Sequence, residues 1–281
     1  MQDIMTPKSP LGRPLDPSYP TNLAILIITP LLGLAAGIYQ LALSGSLGDA
    51  VLAGLVGGAS AFISWGLARE IDPDYDLSAF VAVAFSVIGY LLLRPTTLAV
   101  FSIGVLILGL RIVNRIVGYA PKLPESLIVF VATAIGAYVE GWPVALLGAI
   151  VFLFDAMLQP QERRHYLFAG LSVIVAVVVA IINQPLEPAP LTQYAGPLVV
   201  AGLIFLVTIA LTRQITSKTD LTNEAVSVAR VRAAMLLALI CGFLMVWWHG
   251  DRGFVATLPI WASLLAVPVY RVINWIIVKM R

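Results

Sequence analysis

Charged residues are scarce in this 281-residue chain, at 11% against 60% hydrophobic, and the mean hydropathy is +0.95. Soluble globular domains carry about a quarter charged residues, so that class is excluded. Net charge is small as well: 17 Lys and Arg against 15 Asp and Glu leave +2, too little for a nucleic-acid-binding surface. There is one cysteine, Cys241, inside an apolar run, which excludes a disulfide framework or a cysteine metal cluster. Histidine is confined to His165 and His249, and no His-x-x-x-His spacing occurs. No Gly-x-x-x-x-Gly-Lys loop is present, which removes the usual P-loop route to ATP hydrolysis.

Apolar sequence is what the chain has in abundance. A hydrocarbon core of about 30 Å needs about 20 apolar residues per helix, and runs that meet or nearly meet this lie at 22–44, 49–68, 78–93, 96–114, 125–140, 142–158, 166–183, 195–212, 230–248 and 253–278. The expected fold class is therefore all-α, a polytopic membrane protein of about ten transmembrane helices. The stretch 125–158 is long enough for one helix, but Glu140-Gly141-Trp142-Pro143 sits at its centre. A carboxylate in mid-bilayer is costly and Gly plus Pro marks a turn, so two shorter helices are expected. The proline-rich residues 1–21 lack the features of a signal peptide and read as a mobile cytosolic tail ahead of a single transmembrane domain, 22–281.

Lys and Arg concentrate in cytoplasmic loops. With ten helices and the N-terminus inside, fifteen basic residues fall on the cytoplasmic side and only Arg94 and Arg252 on the other. This bias places both termini in the cytoplasm and the chain in the cytoplasmic (inner) membrane. Trp142, Trp247, Trp248 and Trp275 then lie at helix ends, as interfacial anchors do.

Two stretches repeat. Leu67-Ala68-Arg69-Glu70-Ile71 with Asp76-Leu77-Ser78 matches Leu211-Thr212-Arg213-Gln214-Ile215 with Asp220-Leu221-Thr222, offset by 144 (213 − 69). Arg111-Ile112-Val113-Asn114 matches Arg271-Val272-Ile273-Asn274, offset by 160 (271 − 111). Helices 1–4 (about 22–118) and 7–10 (about 164–281) thus read as parallel copies of one unit, with helices 5 and 6 (about 119–163) inserted. A five-plus-five inverted repeat is the competing architecture.

The candidate substrate-binding residues are Arg69, Asp76, Arg111, Asn114, Asp155, Arg213, Asp220, Arg271 and Asn274. The arginines complement helix C-termini or grip an anion, and Asn114 and Asn274 share a helical face with Arg111 and Arg271. The six duplicated Arg and Asp residues are expected to converge at the cytoplasmic face, Asp76 and Asp220 alternatively capping the helices that follow. Asp155, near the end of helix 6, is an intramembrane ionisable group with Arg163 and Arg164 as nearby partners. No resident metal or cofactor is expected; the alternative is Mg²⁺ at Asp72, Asp74 and Asp76, hard oxygen ligands without the glycine turn of a calcium loop. Glu162 and His165 have a di-iron spacing but lack the second pair that such a centre needs. Ser126 reads as helix-start chemistry, not as a nucleophile, and no catalytic residue is assigned. Gly54 and Gly58 permit close helix packing.

Helix middles almost free of charge argue against proton pumps and voltage sensors. The functional expectation is a transporter or flippase-like permease for a small or amphipathic substrate, its path lined by neutral groups such as Tyr39, Gln40, Ser64 and Tyr90. The alternatives are a membrane-embedded enzyme acting on a lipid or polyprenyl phosphate and a non-catalytic subunit of a larger complex. Membrane lipids and a small-molecule or lipid substrate are the expected partners, and nucleic acid is not.

Overall fold

The computed structural model describes residues 9–182 and 187–280. Among them are ten α-helices: α1 (Pro20–Ser44), α2 (Leu47–Ile71), α3 (Ser78–Leu93), α4 (Val100–Asn114), α5 (Leu123–Glu140), α6 (Pro143–Met157), α7 (His165–Ile182), α8 (Ala195–Leu211), α9 (Val228–Ala256) and α10 (Leu258–Lys279). Among the described residues no strand forms beyond a single bridge between Lys218 and Ala225. The break expected inside 125–158 is present: Gly141 ends α5 at φ 106° and ψ 158°, and α6 restarts at Pro143.

Six helices, α1, α2, α5, α7, α9 and α10, are long and apolar enough to cross a membrane. The other four have 15 to 17 residues, or about 22–26 Å at ~1.5 Å per residue. This is coarser than ten full spans, and α4 shows one reason. Apolar content extends back to residue 96, but the segment after Arg94 is not helical and α4 begins only at Val100.

The helices sort into two compact units, one of Leu15–Leu98 with Val255–Arg281, the other of Ala99–Phe254 with the N-terminal segment up to Pro14. The first holds α1, α2, α3 and α10 around Ile25, Ala61, Trp65, Ala68, Ala79, Ala82, Val83 and Ala266. Alanine and glycine let these backbones approach closely. Gly33 and Gly37 of α1 face Gly54 and Gly58 of α2, so that a Cβ at Gly54 would lie 2.9 Å from the Gly33 carbonyl oxygen. The Gly-x-x-x-Gly pair on α2 therefore has a matching pair on α1.

The second unit packs α4 to α9 around fully buried Leu106, Leu110, Leu147, Val151, Phe152, Phe205 and Leu237. Helix α9 kinks at Gly250 (φ 57°), where a Cβ would sit 2.1 Å from the Pro190 carbonyl oxygen. Residues 9–14 belong to this unit and are not a loose tail. Leu11 is buried and its carbonyl accepts from the Arg111 guanidinium, while Arg13 Nε lies 3.1 Å from Asp220 Oδ2. The first eight residues of the expected tail lie outside the described ones.

Crowding at the α1–α2 contact makes a prediction. Gly54→Val should cost ~1–3 kcal/mol through overpacking, read as a fall in thermal stability of the detergent-purified protein. Gly66→Ala, on the same helix with open space around it, should be neutral or stabilising by up to ~1 kcal/mol. Equal effects at both positions would show that the close approach carries no weight.

Candidate functional site

The most connected polar site lies in the α4–α9 unit and centres on Asp155, which is fully buried in the last turn of α6. Arg115 follows the last residue of α4 in the left-handed conformation (φ 52°), and the Asn114 side-chain oxygen accepts from the Ile116 N–H. Arg115 grips Asp155 with the Nε–Nη2 edge of its guanidinium: Nε to Oδ1 at 3.0 Å, Nη2 to Oδ1 at 2.7 Å and Nη2 to Oδ2 at 2.9 Å. Arg230, in the first turn of α9, donates from Nη1 to Asp155 Oδ1 at 2.7 Å.

All five guanidinium N–H groups of Arg230 are used. Besides Asp155 they reach the carbonyls of Val113, Leu158, Gln159 and Pro160 at 2.8–2.9 Å. These are the carbonyls that end α4 and follow α6, which no intrahelical N–H can satisfy. A charged group buried in this way is tolerable only with its hydrogen bonds complete.

A third partner comes from α7. His165, its first residue, is fully buried, with Nδ1 2.9 Å from Asp155 Oδ2 but off the ring's N–H axis. On its other side Nε2 lies 2.8 Å from Ser126 Oγ, and Ser126, also fully buried, reaches its own helix at the Lys122 carbonyl, 3.0 Å. Phe152 and Phe168 enclose the ring. The order Ser126–His165–Asp155 is that of a nucleophilic relay, yet all three residues are inaccessible and two arginines hold the carboxylate. In this closed form the arrangement ties α4, α5, α6, α7 and α9 together.

Sequence reasoning found Asp155 but gave it Arg163 and Arg164 as partners. Arg164 instead bonds the Pro121 carbonyl and lies 3.3 Å from Glu162, and Arg163 is exposed. The partners that were missed, Arg115 and Arg230, are 40 and 75 residues away. Ser126 reads from the sequence as helix-start chemistry, and the Glu162–His165 spacing lacks the second pair of a di-iron centre, so neither signals this arrangement.

The remaining candidates are used locally. In the α1–α3 and α10 unit, Arg69 Nε lies 3.6 Å from Asp76, whose side chain is 62% exposed, and Arg69 also bonds Asn22. Arg271 pairs with buried Asp72, at 2.9 Å and 3.2 Å. Asn274 is half-buried on α10. In the other unit Arg111 holds the N-terminal segment, Asp220 pairs with Arg13, and Arg213 is exposed. Neither repeated aspartate caps a helix. The residue before α3 is Leu77, which makes no side-chain cap, and no helix follows Asp220 until Val228. Asp72, Asp74 and Asp76 do not assemble into a metal site, and among the described residues no group of three His, Cys, Asp or Glu does. Asp72 is turned to Arg271 and Asp76 to Arg69.

Carboxylates also close helix starts on the side carrying the indoles. Glu140 accepts from the N–H groups of Phe101 and Ser102 at 2.9 and 2.8 Å and so caps α4, and Trp142 packs edge-on against Trp247 and Trp248. Asp251 holds Thr192, Gln193 and Tyr194 ahead of α8.

Comparison of the chain with protein-family models, with curated proteins and with solved structures finds no match.

Two predictions separate these sites. Asp155→Asn leaves two buried arginines without a counter-charge and should cost ~3–5 kcal/mol, whereas Asp76→Asn at a solvated pair should cost at most ~1 kcal/mol. Similar melting shifts for both would refute a special role for the buried node.

Asp72 supplies a pH test. Burial raises its proton affinity, Arg271 opposing this and Asp74 adding to it, so its carboxyl sits above the usual range. A folded state that holds the proton more tightly than the unfolded chain is favoured most below the ordinary carboxylate value. That advantage is lost as pH rises through the raised one. Asp72→Asn should therefore be at least as stable as the wild type at pH 7, the difference closing on acidification. A variant clearly less stable at pH 7 would show that the Arg271 pairing outweighs desolvation.

Proposed function

We propose that the chain is a multi-pass membrane permease for a small, hydrogen-bonding substrate, with both termini on the cytoplasmic side. The observation that carries this reading is a set of buried polar atoms without partners along α1, α2 and α3: Thr29 Oγ1, Ser60 Oγ, Trp65 Nε1 and Ser86 Oγ. A helical hydroxyl has an easy partner in the carbonyl four residues back. Ser64, Ser126, Ser172, Thr208, Thr212 and Ser263 all take it, at 2.7–3.0 Å. Thr29, Ser60 and Ser86 do not. An unmade buried hydrogen bond costs ~1–3 kcal/mol, and such groups call for an explanation; contact with a transported solute supplies one.

All four groups are neutral, which suits a neutral or zwitterionic solute better than a phosphate. Of the neutral groups expected to line a path, Tyr90 bonds the Ala53 carbonyl, Ser64 its own helix, and Tyr39 accepts from Arg94; the orphaned hydroxyls therefore take that role. Two separately packed helical units also suit transport, which needs bodies that keep their internal packing while access changes. The membrane-enzyme reading is less favoured because the carboxylates and arginines that it would use are engaged with one another.

The test combines stability with uptake. Ser60→Ala and Ser86→Ala remove unmatched hydroxyls, so both variants should melt at or above the wild-type temperature. Proteoliposomes carrying wild type, presented with a small-metabolite extract, should enrich a solute over protein-free vesicles, and the variants should enrich it several-fold less. No enrichment by the wild type, or full uptake by both variants, would overturn the reading. For orientation, single cysteines in a Cys241→Ala background at Ala120, Gln161 and Glu224 should be shielded from an impermeant maleimide in intact cells, and those at Thr96, Glu187 and Arg252 labelled.

A further inference from the structure

Resting on the permease reading, we propose that the seam between α1 and α2 binds the solute as a small zwitterionic amino acid, its carboxylate on Trp65 Nε1 and Thr29 Oγ1. The seam is antiparallel and pinned at two levels. A Cβ at Gly58 would lie 3.3 Å from the Thr29 carbonyl oxygen, and further along α2 the Arg69 guanidinium donates to Asn22 Oδ1 at 2.8 Å. Between these levels α2 presents Ala61 and Trp65, on the helical face of Gly58, and α1 presents Thr29 with Ile25 one turn away. Ile25, Ala61 and Trp65 pack in one cluster. Helical side chains lean toward the N-terminus of their own helix. On antiparallel helices Thr29 and Trp65 therefore lean toward each other. Trp65 is 4% exposed, and both Trp65 Nε1 and Thr29 Oγ1 are buried without a hydrogen-bond partner.

These two donors decide the ligand. An indole N–H only donates, so its partner is an acceptor oxygen. Phe62 stacks on the Trp65 ring at 5.9 Å between centroids, and the Arg69 guanidinium lies 4.8 Å from the ring centroid. The ring is thus already covered, which removes the stacking that a sugar or nucleobase would use and leaves the N–H edge. Two donors from facing helices match the two oxygens of a carboxylate. Arg69, one turn beyond Trp65, brings positive charge within reach, its Asp76 partner being solvated at 3.6 Å. The other end of the solute meets α1 at Pro30. Proline has no N–H, so the Leu26 carbonyl lacks the donor that an unbroken helix would supply four residues on. That carbonyl, with the Thr29 oxygen, can accept from an ammonium. From Gly58 to Arg69 the helix rises only about 16 Å, much of it filled by the indole and Ile25, so the solute is small.

Melting of the full-length protein in nanodiscs reads the binding, because a ligand of the folded state raises the transition by mass action. L-alanine should raise it in a saturable way. Propionate, which lacks the ammonium, should need a roughly tenfold higher concentration for the same shift, and ethylamine should have no effect. Thr29→Val and Trp65→Phe keep the shape of each side chain and remove one donor. Without ligand both variants should melt at or above the wild-type temperature. Each should then need roughly tenfold more L-alanine for half of its shift, the weight of one hydrogen bond to a charged group. No shift with L-alanine, an equal response to propionate, or an undiminished response in both variants would overturn the proposal. Proteoliposome uptake of another solute without any L-alanine response would overturn this assignment and leave the permease reading in place. An L-alanine response with no uptake would support the site and overturn transport.

Discussion

One buried carboxylate shared by two arginines, with a histidine beside it, is the constraint on which the α4–α9 unit depends. Moving an ion out of water costs several kcal/mol even after relaxation, so Asp155 cannot be buried alone, and neither can Arg115 or Arg230. Their burial together is possible because the arginines bring more donors than one carboxylate can accept and spend the surplus on backbone. Arg230 is the clearest case. It satisfies four carbonyls from two chain segments while its fifth donor meets Asp155. The ends of α4 and α6 are positioned by that fan of bonds, and His165 brings the start of α7 to the same point.

The same logic recurs wherever a helix ends in apolar surroundings. Four N–H and four C=O groups per helix lack intrahelical partners, and not all of them are met from the adjoining loop. Side chains distant in sequence do so instead: Glu140 serves the start of α4, Asp251 the segment before α8, and Arg232 the carbonyls of Ala210 and Thr212 at the end of α8. In a chain with so few charges, most described charged side chains have a structural task. Asp155, an acidic residue inside an apolar helix, has such a task in joining the ends of α4 and α6 to the start of α9.

Helix positions were legible because they depend on local chemistry. Pro20, Pro124 and Pro143 sit in first turns and Gly45 and Gly141 terminate helices, so the ends of α1, α5 and α6 fell within a few residues of the apolar runs, whereas α9 continues through the Gly250 kink to Ala256, well past residue 248. Span length was less legible at α4, whose start depends on a carboxylate 40 residues further on. Of the ion pairs, Arg69 with Asp76 was anticipated, and the buried ones were not legible. Asp155 and Arg230, or Asp72 and Arg271, are brought together by tertiary packing, and nothing in a loop's composition reveals which arginine will arrive. The repeated Arg69/Arg213 and Asp76/Asp220 pairs show the limit of motif matching. Arg69 meets Asp76, whereas Asp220 is taken by Arg13 from the N-terminal segment.

The two kinds of polar group in this molecule obey opposite rules, and the contrast bears on where activity resides. Charged groups sit at helix ends, where backbone partners are plentiful and desolvation can be offset. Hydroxyls sit within helices, where a carbonyl four residues back is always in reach and most take it. Thr29, Ser60 and Ser86 have that option and leave it unused. An apolar residue at each place would remove the cost of an unmatched hydroxyl without disturbing any hydrogen bond in this form of the protein. A group that could be replaced so cheaply is best understood by what it meets in another state. The proposed permease reading therefore turns on neutral residues, while most of the described charges hold helix ends and loops together.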